Sequence, residues 1–415
     1  MKTRLLLYFI STTIGLNAQS LSNSAPLSYS GKSNVIIENK IFTSGSNGAS
    51  INLANCTGFI IRNCVFKNIP GNIGVQLASS NNITIQGCTF DSTYCGVYAI
   101  KCTGGLVIQC NSFKDIVGPK PRGQMVQFNV CSGAGNRILN NILEQTPGAG
   151  TAEDLINMYA TSGTAADPIL ISGNHTKGGS TTSSGGGLML GDNGSSYITA
   201  DNNILVDPGQ YGIAASSGHH ITISNNTVYA RSQYFTNVGI YAGVASEVNA
   251  GWVCDGKTIT LKDNKVNWKN KNNVQNDFYI CPCCPGVIQS GNTPKANISA
   301  SILPTVMKLN STCSSLNLNC KVLGTACPST VTEIENEEFI ENQEINLQIQ
   351  NQVMTASSNE TGNWQLLGTE GNSITKLENE SIIEVNIKAL PTGIYLLIYT
   401  NKDGRKMKRF YYSGN

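Results

Sequence analysis

From about residue 34 onward, apolar and polar positions alternate in short runs, each interrupted by Asn, Gly or Cys. They read IIRNCVF, TIQGCTF, VIQCNSF, RILNNIL, LISGNHT, ITADNNIL, TISNNTV, TLKDNKV and VIQSGNT. Alternation at period two sends one set of side chains to a core and the other to solvent, which predicts strands; no segment carries the stripe of an amphipathic helix. The nine runs align on one column, Cys64, Cys88, Asn111, Asn141, Asn174, Asn203, Asn226, Asn264 and Asn292, with separations of 24, 23, 30, 33, 29, 23, 38 and 28 residues. A minimum near 23 with variable additions describes a solenoid whose coils carry loops of their own. Short strands joined at Asn and Gly corners predict an all-β fold, a right-handed parallel β-helix. Amides stacked at a corner about 4.8 Å apart can hydrogen-bond along the stack, and Asn tolerates the left-handed backbone of a bend. Cys64 and Cys88 fall one rung apart, within the ~4.4–6.8 Å Cα span of a disulfide, and a buried thiol stack is the alternative.

Residues 34–295 resemble the pectin-lyase-like, right-handed β-helix superfamily. That resemblance implies an architecture shared by polysaccharide lyases, glycoside hydrolases, epimerases and non-catalytic adhesins, so it leaves the chemistry open. After Cys327 the composition turns to a Glu- and Asn-rich spacer, and the chain ends in IIEVNIKALPTGIYLLIYTNKDGRKMKRFYYSGN. The stretch LPTGIYLLIY (Leu390 to Tyr399), the NKDGR turn and the basic ending resemble the C-terminal sorting domain of the Bacteroidetes type IX secretion system, without its customary Tyr-Pro-Asn-Pro opening. The resemblance implies a small β-sandwich and export, through the type IX machinery, to the medium or the outer-membrane surface. Asp403-Gly404 reads as its hairpin turn. The start of the chain, with Lys2, Arg4, an apolar run from Leu5 to Ile14 and Ala18, reads as a secretory signal over residues 1–18. The expected order is therefore signal (1–18), β-helix (34–295), Cys-containing and Glu/Asn-rich linker (296–339) and sorting domain (340–415).

Among 415 residues, 13% are charged and the formal net charge is +2. A near-neutral chain offers no global field for nucleic acid, and nothing after the leader is long and apolar enough to span a bilayer. Fourteen cysteines fit an oxidising destination, and CPCC (Cys281, Cys283, Cys284) lacks zinc spacing, so disulfides are expected there, with the connectivity open.

The additions to the 23-residue unit are grouped. Lys114 to Gln124, Glu144 to Asp154, Lys177 to Gly187 and Ala230 to Val238 leave one corner of neighbouring coils; Thr161 to Pro168 and Gly243 to Lys257 leave the other end of the same strands. Two walls flanking one sheet predict a groove for a long ligand. Its floor would turn Gln76, Tyr98, Gln127, Asn129 and Tyr241 outward, groups suited to sugar rings and hydroxyls. The expected substrate contacts are Tyr98, Lys120, Arg122, Gln127, Asn129, Tyr159 and Tyr241. At the centre, EDLINMY brings Glu153 and Asp154 to the floor, and Asp192 ends the strand of the next coil. Carboxylates on neighbouring rungs can reach the ~5–5.5 Å of a retaining glycosidase or, with lateral offset, the ~6.5–9.5 Å of an inverting one. Asp154, Asp192 and Glu153 are the catalytic candidates, although a single Asp more often caps a turn. Alternation within a strand lets only one of Glu153 and Asp154 face the ligand.

Three classes of function follow. Glycan hydrolysis, needing no cofactor, comes first because the distinctive central feature is acidic. A uronate lyase would use Lys120, Arg122, Arg137, Lys177 and Arg231 against substrate carboxylates, with Tyr159, Tyr211 or His175 as base and Ca²⁺ held by the carboxylates. A glycan-binding adhesin would need no chemistry. His219 and His220 read as solvated turn residues.

Overall fold

The computed structural model describes residues 21–244, 254–309 and 313, and in the C-terminal part 346–350, 353–367, 373–387, 390, 393–402 and 404–412. The leader and most of the Glu/Asn-rich spacer lie outside the described residues. The chain divides into two compact units, Met1–Ser329 and Thr330–Asn415.

The first unit is a parallel β-helix with three strand stacks per coil. The first stack is a ten-stranded parallel sheet running from Ile36–Glu38 to Ile288–Ser290. The second follows the Asn corner and includes Ile142–Glu144, His175–Lys177 and Ile204–Val206. The third includes Val126–Asn129, Ile156–Tyr159, Leu188–Met189, Tyr211–Ser216, Val238–Gly243 and Phe278–Ile280. In two early coils the second and third stacks are single strands, Val65–Ala78 and Thr89–Ile100, and there the two merge into one 18-stranded sheet. In later coils that junction is where the four long insertions emerge. Coiling begins before residue 34: Ser22–Asn23 pairs in parallel with Lys40–Phe42, and Leu27–Ser30 with Ala49–Ala54. These strands lack an Asn or Cys anchor, so the repeat does not reveal them.

The corner column is a continuous hydrogen-bonded ladder. Each Asn Nδ2 donates to the Oδ1 of the next, from Asn111 through Asn141, Asn174, Asn203, Asn226 and Asn264 to Asn292, at 2.9–3.0 Å. The same Oδ1 atoms accept backbone N–H groups, and each Nδ2 also reaches a main-chain carbonyl, as Asn141 does to Ile108 at 2.9 Å. The bend itself is carried one residue earlier. Asn63, Gly87, Cys110, Asn140, Gly173, Asn202, Asn225, Asp263 and Gly291 all have φ between 51° and 67°. Gly, Asn and Asp are the residues that enter this region at least cost, which is why the repeat reads as Asn-Asn, Gly-Asn or Asp-Asn pairs. One residue turns the chain and the next satisfies it.

The interior continues the same logic. Phe42, Phe66, Phe90 and Phe113 stack with centroids 4.7–5.0 Å apart and planes within 8°. Cys64 and Cys88 remain thiols, donating to the carbonyls of Arg62 and Gln86 at 3.3 and 3.4 Å, so the thiol-stack alternative holds. The CPCC cysteines are in disulfides, Cys254–Cys284 and Cys281–Cys283. A third, Cys110–Cys313, anchors the segment after the last coil to the corner between the first and second stacks. Along the way Asn267 donates to the Ile298 carbonyl at 3.0 Å, and Leu303 and Met307 bury against Ile142 and Val206. Residues 296–309 are therefore packed on the solenoid and do not serve as free linker; their apolar positions are too sparse to announce this. Cys320 and Cys327 lie outside the described residues.

The second unit contains a five-stranded antiparallel sheet around Trp364 and Tyr399. Gly393–Asn401 and Gly404–Tyr412 form the expected hairpin, with Asn401 opposite Gly404.

Candidate functional site

The third stack supplies the floor. Parallel register aligns Asn52, Gln76, Tyr98, Gln127, Asn157, Met189, Ala214, Tyr241 and Tyr279 in one outward column. The insertion around Lys120 and the 177–187 insertion rise beside it and flank an open cavity of about 900 Å³, bordered by Glu153, Asp154, Asp192, Tyr159 and Tyr241 among others. Part of the opposite wall, residues 245–253, lies outside the described residues.

Three carboxyl groups converge at one end of this cavity. Asn157 joins two of them, its Nδ2 lying 2.9 Å from Asp154 Oδ2 and 3.2 Å from Asp192 Oδ2. Sharing one nitrogen confines those two oxygens to within about 6 Å of each other, closer to the retaining than to the inverting separation. Asp154 Oδ1 accepts from the Gly186 N–H at 3.1 Å and from the Tyr211 hydroxyl, so this carboxyl does hold a Gly-rich loop, one coil along. Asp154 is only 5% exposed, and its burial pushes the carboxyl pKa up to about 7 against the opposing hydrogen bonds from Tyr211 and Asn157. Oδ1 accepts from two donors and Oδ2 from Asn157 alone, so Oδ2 is the oxygen with room to carry the proton. Burial and the adjacent carboxylate hold the Tyr211 hydroxyl well above its ordinary pKa, which keeps it a donor.

Glu153 also belongs to the cluster. It pairs with Lys120 at 3.0 Å and accepts from Gln124 Nε2 at 3.1 Å. Burial raises its pKa, Lys120 opposes this, and the charge of Asp192 adds to the rise. The expectation that only one of Glu153 and Asp154 faces the groove is corrected, because residues 151–154 are not in a strand and alternation starts at Ile156.

The other expected contacts group on the earlier rungs. Arg122 lies over the Tyr98 ring, 3.7 Å from its centroid, and approaches Gln127 Oε1 at 3.4 Å. Asn129 Nδ2 donates to the Tyr98 hydroxyl at 3.1 Å, and Gln127 Nε2 lies 3.4 Å from Asn157 Oδ1. Tyr98, expected as an open stacking surface, is 5% exposed under the guanidinium. Gln76 aligns beside Tyr98 as expected. Tyr241 stacks on Tyr279 with planes 5° apart and donates to the Val244 carbonyl.

The expected row of cations disperses. Arg137 belongs to the first stack and pairs with Asp167, Lys177 pairs with Glu144, and Arg231 with Asp207; of the row, only Lys120 borders the cavity, bound to Glu153. His175 lies in the second stack, and His220 stacks on Tyr197. Among the described residues no group of three or more His, Cys, Asp or Glu side chains is arranged to hold a metal ion. Sequence reading missed Asn157, although the alternation that selects Gln127 selects Asn157 one rung later. It also missed Met189 and Tyr279, which occupy the same column.

A family model described as a right handed beta helix region matches residues 16–154. The fold is a right-handed parallel β-helix. Among solved structures, the chain resembles the tailspike protein of E. coli bacteriophage HK620. A double mutant of that protein in complex with a pentasaccharide aligns at a TM-score of 0.31 and 11% identity, over 61% of this chain and 48% of that one. Another mutant in complex with a hexasaccharide aligns at 0.31 and 12%, over 63% and 48%. The alignments thus span about half the length of the tailspike chains. No curated protein matches the sequence.

Proposed function

We propose that the protein hydrolyses a glycan lying along the third stack, with Asp154 as general acid and Asp192 as base or nucleophile. The observation that carries this reading is the cluster itself: two carboxyl groups bridged by one amide nitrogen at the edge of an open cavity, one of them held toward its protonated form. Unequal environments give paired carboxyls unequal roles. Asp154 Oδ2 would deliver its proton to the glycosidic oxygen, and Asp192 would act on the anomeric carbon directly or through water. Asn157 positions both, and the Lys120–Glu153 pair closes the side of the cluster.

The dispersal of Arg137, Lys177 and Arg231 into local ion pairs, with Arg122 held over Tyr98, supports hydrolysis over elimination on a uronate. A polysaccharide panel incubated with the secreted protein, followed for reducing ends and for ultraviolet absorbance, separates the readings. New reducing ends without absorbance are expected; absorbance would mean an unsaturated uronate and a lyase. Binding without any product would leave a glycan-binding surface protein.

Export is part of the proposal. The leader-like start and the sorting-domain resemblance together predict that a chain ending near Thr332 folds its β-helix yet stays in the periplasm. Immunoblots of medium, surface and periplasm check this, and normal amounts of the truncated protein outside the cell would remove the type IX reading.

A further inference from the structure

The outward face of the third stack changes character beside the carboxyl cluster. On the earlier rungs the column is amide and aromatic-polar, Gln76, Tyr98, Gln127 and Asn157. On the next two it becomes Met189 and Ala214, and then the stacked pair Tyr241 and Tyr279. Met189, Ala214, Val238 and Tyr241 pack, with Tyr211, into an apolar cluster separate from the core inside the coils. These residues also border the cavity. Two rungs give this shelf a length of about 10 Å, roughly two sugar units.

A shelf of this kind is poorly matched to an unsubstituted or acidic sugar. Tyr211, Ala214 and Val238 are buried beneath the shelf, so the surface it offers is Met189 and Tyr241, and hydroxyls or carboxylates placed over Met189 would lose water without gaining hydrogen bonds. The acidic residues at the near end would also repel a uronate. We infer, resting on the glycan reading above, that this subsite takes a neutral sugar carrying a methyl-terminated substituent, either an acetamido group or the methyl of a 6-deoxy sugar. The methyl lies on Met189, whose side chain is partly exposed above the buried Ala214, while the ring faces Tyr241. Aromatic stacking then holds the ring and the shelf selects the substituent.

The test is an array of matched oligosaccharide pairs probed with the full chain carrying Asp192→Asn, so that bound chains are not consumed. Pairs differ only by acetamido for hydroxyl in one arm, by methyl for hydroxymethyl in the second, and by carboxylate for hydroxymethyl in the third. In one of the first two arms the methyl-bearing member is expected to bind about tenfold or more tightly, the scale of discrimination an apolar pocket achieves. Met189→Gln in the same background should abolish that preference while retaining binding of the hydroxyl partner. Equal binding of all pairs, or preference for the carboxylate, overturns the inference and leaves the glycan reading standing. A preference unaffected by Met189→Gln places the methyl elsewhere and also overturns it. Binding of no chain at all removes the glycan reading and this inference with it.

Discussion

Asp154→Asn and Asp192→Asn are each expected to lower turnover of the cognate glycan by roughly 10³-fold or more, about 4 kcal/mol of transition-state stabilisation. The two variants should differ in another measurement. The Asp154 carboxyl has a folded-state pKa near 7, against a reference of 3.8. Below the unfolded value both states are protonated and the folded state bears no cost. As pH rises from about 4 to about 7 the unfolded chain releases its proton first, so stability falls across that window and levels off above it. The drop is on the order of 4 kcal/mol, since each pKa unit corresponds to about 1.4 kcal/mol. Asp154→Asn should flatten this stretch of the stability curve, and Asp192→Asn should leave most of it. Activity should decline as pH rises through 7, where Asp154 loses the proton it donates. The checks are urea unfolding at a series of pH values and the pH profile of kcat/KM. A loss of activity in Asp154→Asn explained by unfolding, or a stability curve unchanged by it, would take Asp154 out of the acid role.

Such a site was half visible in the sequence. Insertion lengths located the walls, because a solenoid's unit is constant and any excess must leave it. Alternation located the floor, because strands from Val126 and from Tyr211 carry inward aliphatics at the same phase. What alternation cannot do is extend past a strand's end. Glu153 and Asp154 precede Ile156–Tyr159 on irregular backbone, so both turn toward the cavity where the pattern allowed one. Burial of Asp154 was also hidden, since it depends on Tyr211, 57 residues away, and on a loop from the next coil. The cations misled for a related reason. Arg137, Lys177 and Arg231 are close in the solenoid's length but lie outside the third stack, and each has a carboxylate in its own neighbourhood. The corner ladder, in contrast, was legible from Asn111 to Asn292, because its partners are always one coil apart and the repeat announces each coil, although the left-handed bend expected of the anchor Asn lies one residue earlier.

That ladder sets the largest expected effect on stability outside the cavity. Asn141 sits in its interior, fully buried, and its side chain makes four bonds: Oδ1 accepts from the Asn111 N–H and Nδ2, and Nδ2 donates to Ile108 O and Asn174 Oδ1. Asn141→Ala strands the first two donors and the Ile108 carbonyl where water does not reach. The cost is expected at about 3 kcal/mol, more than one hydrogen bond because desolvated partners remain unpaired. Asn203→Ala, with the same set of partners one and two coils along, should cost a similar amount. Asn141→Asp should be worse than Ala despite its near-identical shape. It keeps an acceptor for Asn111 but turns an oxygen toward the Ile108 carbonyl and the Asn174 amide oxygen, and it buries a charge without a partner. Asn272, exposed beyond the corner in KNKNN, should tolerate Ala within about 0.5 kcal/mol. Urea midpoints for the four variants give the order directly. Were Asp as mild as Ala at position 141, the amide's donor side would carry little of the stability, and backbone pairing along the coils would have to supply it.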